Sequence, residues 1–223
     1  MSPSNFEADI RIELGAAWAS SSVNCVPFRH HGILTRRNSR YCTFYDGAGD
    51  VLVAHWPSPA ASKPDVVIIP CVRKPHDAHN GISLGIDRSH RIHLAYGAHA
   101  SSMFHMHSRS HSLSDGFVES TEFMGEEARC YTYPLFLNIG PERELVLLYR
   151  NGRATASSIQ LSRWHEERQT FTQDAGPILD GRSSDPWTAG PYINDPVVSP
   201  DGTVSLFFVW RLSPKVVRSE SAV

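Results

Sequence analysis

The chain has 223 residues, of which 41% are hydrophobic and 20% charged, the balance of a globular domain rather than of a disordered or fibrous chain. A formal net charge of −2 excludes an electrostatic grip on nucleic acid. No stretch approaches the roughly 20 consecutive apolar residues that cross a bilayer, and Glu7, Asp9, Arg11 and Glu13 interrupt the opening segment where a secretory leader would carry its apolar core, so neither a membrane partner nor a signal peptide is expected.

In chain order, runs of β-branched and aromatic residues bounded by turn residues predict strands at Tyr41–Asp46, Val51–Trp56, Val66–Pro70, Ile82–Asp87, Arg91–Gly97, Glu144–Arg150 and Thr203–Arg211. Fifteen glycines and fifteen prolines punctuate them, and helical periodicity is scarce. The fold class is therefore all-β. A hairpin recurs as FYDGAGDVLVAHW, GIDRSHRIHLAYG, NIGPERELVLLYRNG and VVSPDGTVSLFFVWR: a strand, a tight polar turn, then a strand of apolar residues. Its second strands begin near Val51, Arg91, Glu144 and Thr203, steps of roughly 40 to 60 residues, the spacing of propeller blades with loops added on one face. A β-sandwich also has short strands at regular spacing; the repeated hairpin favours a β-propeller. About four blade-like units fit into residues 1–211, a partial propeller, and residues 212–223 form a divergent tail.

The 12 histidines are concentrated, with nine between His55 and His111. Imidazole titrates near neutrality and serves as acid, base or metal ligand. Within HDAHN, His79 stands just before a predicted strand, at a rim where propeller sites lie, with Asn80 beside it. His99 follows the strand IHLAYG and could return to the same rim. His105 and His107 share one side of a strand and, with His111, form a candidate metal set, though a metal site needs three or four ligands and a supporting shell. Tyr133 can donate or accept a proton, and Arg150, ending an apolar strand before Asn-Gly, suits bidentate binding of a carboxylate. Each has a plainer reading as a loop histidine, a packed tyrosine or a surface salt bridge. Asp185, Asp195 and Asp201 form no convincing carboxylate pair. The cysteines Cys25, Cys42, Cys71 and Cys130 are isolated and contain no CxxC, so they read as thiols more readily than as a zinc site or disulfides.

The order GAAWASSSVNCVPFRHHGILT, RYCTFYDGAGDVLVAHW and HDAHNGISLGIDRSHRIHLAYGAHAS, followed by YTYPLF, LLYRNG and VSLFFVWR, resembles the BNR-repeat family, which includes seven-bladed propeller ulvan lyases and related enzymes acting on rhamnose–glucuronate linkages. The resemblance runs from about Gly15 to Arg211. It implies a polysaccharide lyase cleaving a uronate-containing polymer by β-elimination, with His79, His99, Tyr133 and Arg150 lining the cleft as catalytic residues and Asn80 and Arg150 binding substrate. It also implies an anionic polysaccharide as partner, no cofactor, an extracellular setting, and a structural metal in relatives whose ligands would lie in later residues. A non-catalytic glycan-binding fragment and a glycoside hydrolase on the same scaffold are the alternatives.

Overall fold

The computed structural model describes residues 12–26, 32–71, 75–120, 130–173, 176–182, 189–212 and 219–222. Its first hairpin is closed as the DGAGD turn predicts: the Asp46 carboxylate accepts hydrogen bonds from the backbone N–H groups of Ala48 and Asp50, both at 2.9 Å. The hairpin stands in an antiparallel sheet of β1 (Ile33–Arg36), β2 (Ser39–Tyr45), β3 (Val51–Trp56) and β4 (Asp65–Ile69), in that order. The Asp87 carboxylate caps the next turn by accepting from the N–H of Arg91 at 2.8 Å. That turn joins β5 (Ser83–Ile86) to β6 (Ile92–Tyr96); β7 (His99–Ser101) then leaves for the next sheet, and β8 (Phe104–Ser108) and β9 (Phe117–Glu119) complete the order β5-β6-β8-β9.

The third sheet is built from β10 (Tyr131–Ile139), β11 (Glu144–Arg153), β12 (Ala156–His165) and β13 (Thr170–Gln173), with β7 added beside β10 and β14 (Leu179–Asp180) on β12. The fourth holds β15 (Gly190–Ile193), and a small hairpin of β16 (Val197–Val198) and β17 (Val204–Ser205) precedes β18 (Phe208–Arg211) and β19 (Ser219–Ala222), which extend β15. A single 3-10 turn at Leu113–Asp115 is the only helical element among the described residues, and no helix there is long and apolar enough to cross a membrane.

Three apolar layers join these sheets in sequence. Tyr41, Tyr45, Val51 and Val53 meet Leu84, Ile86, Ile92 and Leu94 between the first and second sheets. Ala95 meets Phe136, Trp164 and Phe171 between the second and third. Leu135, Leu137, Val146 and Leu148 face Ile193 and Val198 of the fourth. The apolar run LVLLY of β11 is thus explained by burial on both faces, with Leu145, Leu147 and Tyr149 on one side and Val146 and Leu148 on the other. β1, β5 and β10 lie innermost and, with Pro196 and Val198, line a cavity of about 320 Å³. Stacked antiparallel meanders around a shared axial cavity make an open β-propeller of about four blades, as the hairpin repeat predicts; a sandwich would have only two layers.

Two expectations need correction. The strand expected over Thr203–Arg211 is split at Leu206 and Phe207, because Val204–Ser205 pairs with β16 whereas Phe208–Arg211 pairs with β15. Asn151-Gly152 is not a turn: both residues continue the ladder, opposite Ser158 and Ser157, so Arg150 lies inside β11 rather than at its end.

Gly85 allows the inner strands to approach, since a Cβ there would sit 2.6 Å from Phe136 Cγ, within a side chain only 1% exposed. Gly85→Ala is expected to cost about 1–3 kcal/mol of unfolding free energy by overpacking, read by chemical denaturation; an unchanged midpoint would mean that the two blades slide apart freely.

His93, His105 and His107 form a polar patch within the second apolar layer. His93 Nδ1 meets His105 Nε2 at 3.2 Å and its Nε2 meets Asp87 Oδ2 at 3.3 Å. Trp164 packs edge-on against His93 at 4.5 Å and Phe171 against His105 at 5.1 Å. His111, grouped with His105 and His107 as a candidate metal set, is instead exposed. Burial holds His93 and His105 well below 6.5, with His107 also lowered; Arg91 adds to the depression at His93 and Glu166 opposes it. Imidazoles that stay neutral in the native state but take up protons when unfolded contribute stability above about pH 6.5 that is lost as pH falls below it. The slope approaches about 1.4 kcal/mol per pH unit for each such ring. Asp87, raised above 3.8 mainly by burial, works in the opposite sense at lower pH. Denaturation midpoints should therefore fall between pH 7 and pH 5; a flat profile would mean that these rings titrate freely.

Candidate active site across three blades

The loop before β5 turns tightly. The N–H of Asn80 donates to the Asp77 carbonyl at 3.1 Å, that of His79 to Asp77 Oδ1 at 2.9 Å, and the Tyr45 hydroxyl to the Asn80 carbonyl at 2.7 Å. His79 Nδ1 lies 2.7 Å from Asp77 Oδ1, and His99 Nδ1 lies 2.5 Å from Asp77 Oδ2. The two imidazoles stack with centroids 4.0 Å apart and planes inclined by 17°. Burial works to raise the Asp77 carboxyl, but the N–H and ring of His79 and the ring of His99 outweigh it and bring it to about 2.

Two bulges shape the neighbouring rim. In the β7–β10 pairing, Tyr131 faces Ser101 and Thr132 faces His99, which leaves Ala100 as an extra residue with φ 49°. Its N–H is held by Thr132 Oγ1 at 2.9 Å. In the β10–β11 pairing the register slips between Thr132 and Leu135, and Tyr133 adopts φ 57°. Left-handed backbone at a non-glycine residue costs on the order of 1–3 kcal/mol, and a bulge re-aims the side chain it carries. Tyr133 is thereby turned toward the histidines, its ring centroid 6.1 Å from that of His79.

Arg150 follows Val146 and Leu148 on the face of β11 that looks to the fourth blade. Its guanidinium carbon lies 5.0 Å from the centroid of Tyr133 and 4.6 Å from that of Tyr192. The residue is 3% exposed, and neither Nε nor Nη1 has a hydrogen-bond partner among the described residues. The aromatic faces offset part of the cost of burying this cation; its donors remain for an anion to meet. Arg211 Nη1 donates to the Tyr192 hydroxyl at 3.0 Å and extends the cationic surface. Burial raises the Tyr133 phenol above 10, Arg150 pulls it down and Tyr192 pushes it up.

The four residues expected to share a cleft, His79, His99, Tyr133 and Arg150, are therefore brought together. Asn80 is buried in the adjoining turn. Asp77, Tyr192 and Arg211 were not anticipated. Asp77 stands two residues before His79, a spacing that reads as ordinary turn chemistry; Tyr192 sits far along the chain, and Arg211 ends the run VSLFFVWR, where it reads as the close of a strand. The donor atoms of Asp77, His79 and His99 lie within 4.8 Å of one another, a spacing a metal ion could span, although Nδ1 of each ring already meets the carboxylate. Asp201 accepts from the Thr203 N–H at 2.9 Å in its own turn, and Asp185 lies outside the described residues. The cysteines Cys25, Cys42, Cys71 and Cys130 form no disulfide among the described residues.

Fold and side chains together define an open antiparallel propeller with an aromatic, cationic cluster beside a carboxylate-held pair of histidines. The chain belongs to the BNR repeat-containing family, which it matches over residues 39–221. Among solved structures it is similar to the polysaccharide lyase Uly1, at 17% identity with a TM-score of 0.69, covering 92% of this chain and 53% of that one. A PL25 ulvan lyase matches at 14% identity and a TM-score of 0.65, covering 85% and 47%; it has also been solved bound to -[GlcA(1-4)Rha3S]-. An endo-arabinase from Bacteroides thetaiotaomicron matches at 13% identity and a TM-score of 0.50, covering 90% and 82%. The chain thus spans about half the length of the two lyases. No curated protein sequence matches it.

Proposed function

We propose that this chain carries the catalytic rim of a polysaccharide lyase that cleaves uronate-containing chains, of the ulvan or rhamnose–glucuronate type, by β-elimination outside the cell. The observation that carries the reading is the buried Arg150 guanidinium, its Nε and Nη1 without a hydrogen-bond partner among the described residues, set against Tyr133 beside a carboxylate-held pair of imidazoles. A uronate C5 proton is a weak acid while its carboxylate stays charged. Arg150 would bind that carboxylate and stabilise the enolate-like transition state. His79 Nε2 would take the C5 proton. The electrons left on C5 form the C4–C5 double bond, the C4–O4 bond breaks, and the Tyr133 hydroxyl, kept protonated by its burial, gives its proton to the departing O4. Proton return from His79 to Tyr133 resets the site.

Hydrolysis on the same scaffold, as the arabinase likeness suggests, ordinarily needs two carboxyl groups flanking the bond. Among the described residues the cleft contains Asp77, whose two oxygens already meet the histidines, so elimination is favoured. The test is incubation with ulvan and with a desulfated rhamnose–glucuronate polymer. Elimination gives rising ultraviolet absorbance of a 4,5-unsaturated uronate and products without added water. Products heavier by one water indicate a hydrolase, and binding without products indicates a glycan-binding propeller; either result removes the lyase reading.

A further inference from the structure

We propose that Asp77 is a positioning residue that sets the tautomers of His79 and His99 together, so that both rings hold hydrogen on Nδ1 and a lone pair on Nε2; the consequence for turnover rests on the elimination reading above. Asp77 divides its oxygens between two elements of the fold. Oδ1 takes the ring of His79 at 2.7 Å and the same residue's backbone N–H at 2.9 Å, and Oδ2 takes the ring of His99 at 2.5 Å. An ionised carboxylate only accepts hydrogen bonds, so Nδ1 of both rings must carry hydrogen. A neutral imidazole has one N–H, which leaves Nε2 of each with its lone pair.

The arrangement is rigid for identifiable reasons. The loop is pinned by the Asn80 N–H on the Asp77 carbonyl and by the Tyr45 hydroxyl on the Asn80 carbonyl. His99 stands at the start of β7, whose bulge at Ala100 is fixed through Thr132. The rings stack at 4.0 Å, so rotating either one breaks both its carboxylate contact and its ring contact. Asp77 thereby ties the entrance loop of the second blade to a strand of the third, and one carboxylate orients two working groups.

The two oxygens are not equivalent, and this gives the proposal a specific signature. In Asp77→Asn one oxygen remains as an acceptor and the other position becomes an NH2 donor. The oxygen is best kept on the Oδ1 side, where two donors converge, so the amide NH2 faces His99. That ring can meet a donor only by moving its hydrogen from Nδ1 to Nε2. His79 should keep its hydrogen on Nδ1.

Long-range proton–nitrogen spectra of histidine-labelled protein at about pH 8, assigned with His79→Gln and His99→Gln, read this directly. The wild type should show hydrogen on Nδ1 of both rings. D77N should show His99 converted to the Nε2–H form with His79 unchanged, a lowering of kcat on the uronate polymer by about 100-fold or more, and a KM within about threefold. Wild-type spectra with either ring in the Nε2–H form overturn the proposal even if D77N does not fold. A folded D77N with unchanged tautomers or unchanged kcat overturns it as well. Absence of elimination by the wild type would dispose of the lyase reading, while the tautomers would still decide the role of Asp77.

Discussion

Arg150→Met should make the protein more stable and nearly inactive at once. In the free protein the Arg150 guanidinium is 3% exposed and sits between Tyr133 and Tyr192 with Nε and Nη1 bare. Replacing a poorly compensated buried charge by an apolar chain of similar length removes a desolvation cost, and gains of about 1–3 kcal/mol are the expected scale. The same change removes the donors that would meet a uronate carboxylate, and loss of a preorganised charge contact of this kind lowers kcat/KM by about 1,000-fold. Arg150→Lys should recover little of it, because an ammonium cannot span two carboxylate oxygens and stack between two rings at the same time. Denaturant titration and initial rates check the two halves separately. A destabilised R150M would mean that the guanidinium has a structural anion of its own within the protein, and an active one would remove it from the site.

Tyr133→Phe should lower kcat by about 100- to 10,000-fold, the range for a lost general acid or base, with an unfolding free energy within about 1 kcal/mol of wild type. The left-handed backbone and the bulge are retained by Phe, so only the hydroxyl is tested. The pH profile supplies an independent reading. Burial is the largest influence on the phenol and raises it above 10, against the pull of Arg150. A group that must be protonated to act supports turnover below its pKa and loses it above, so the alkaline limb of kcat/KM should lie above pH 10. A limb well below that value would assign proton donation to another group.

The hairpins were legible because their turns announce themselves: DGAGD and the Asp87 turn place carboxylates where backbone N–H groups need acceptors. The strands missing from the predicted runs include two whose polar residues point inward. β8 reads FHMHS, and its histidines face the aromatic layer rather than water. β12 buries Ser157, Ser158, Gln160 and Ser162, which leaves no apolar alternation to detect. At the site, His79, His99, Tyr133 and Arg150 stand in short local patterns of the family type. Their convergence depends on two bulges that no local pattern encodes, and on Asp77, whose bond to His99 spans 22 residues.

Tyr133 and Arg150 lie on the strands β10 and β11, which have packed neighbours on both sides. In a linear array of repeats, opening begins where a unit has a neighbour on one side only, and a flanked unit exchanges its amide hydrogens last. Among the described residues the first sheet leaves Ile33, Val66 and Ile68 exposed, so under mild denaturant deuterium should enter β1 and β4 of this chain while the backbone beneath the cleft is still protected. The pocket would outlast the fraying of its own flanks.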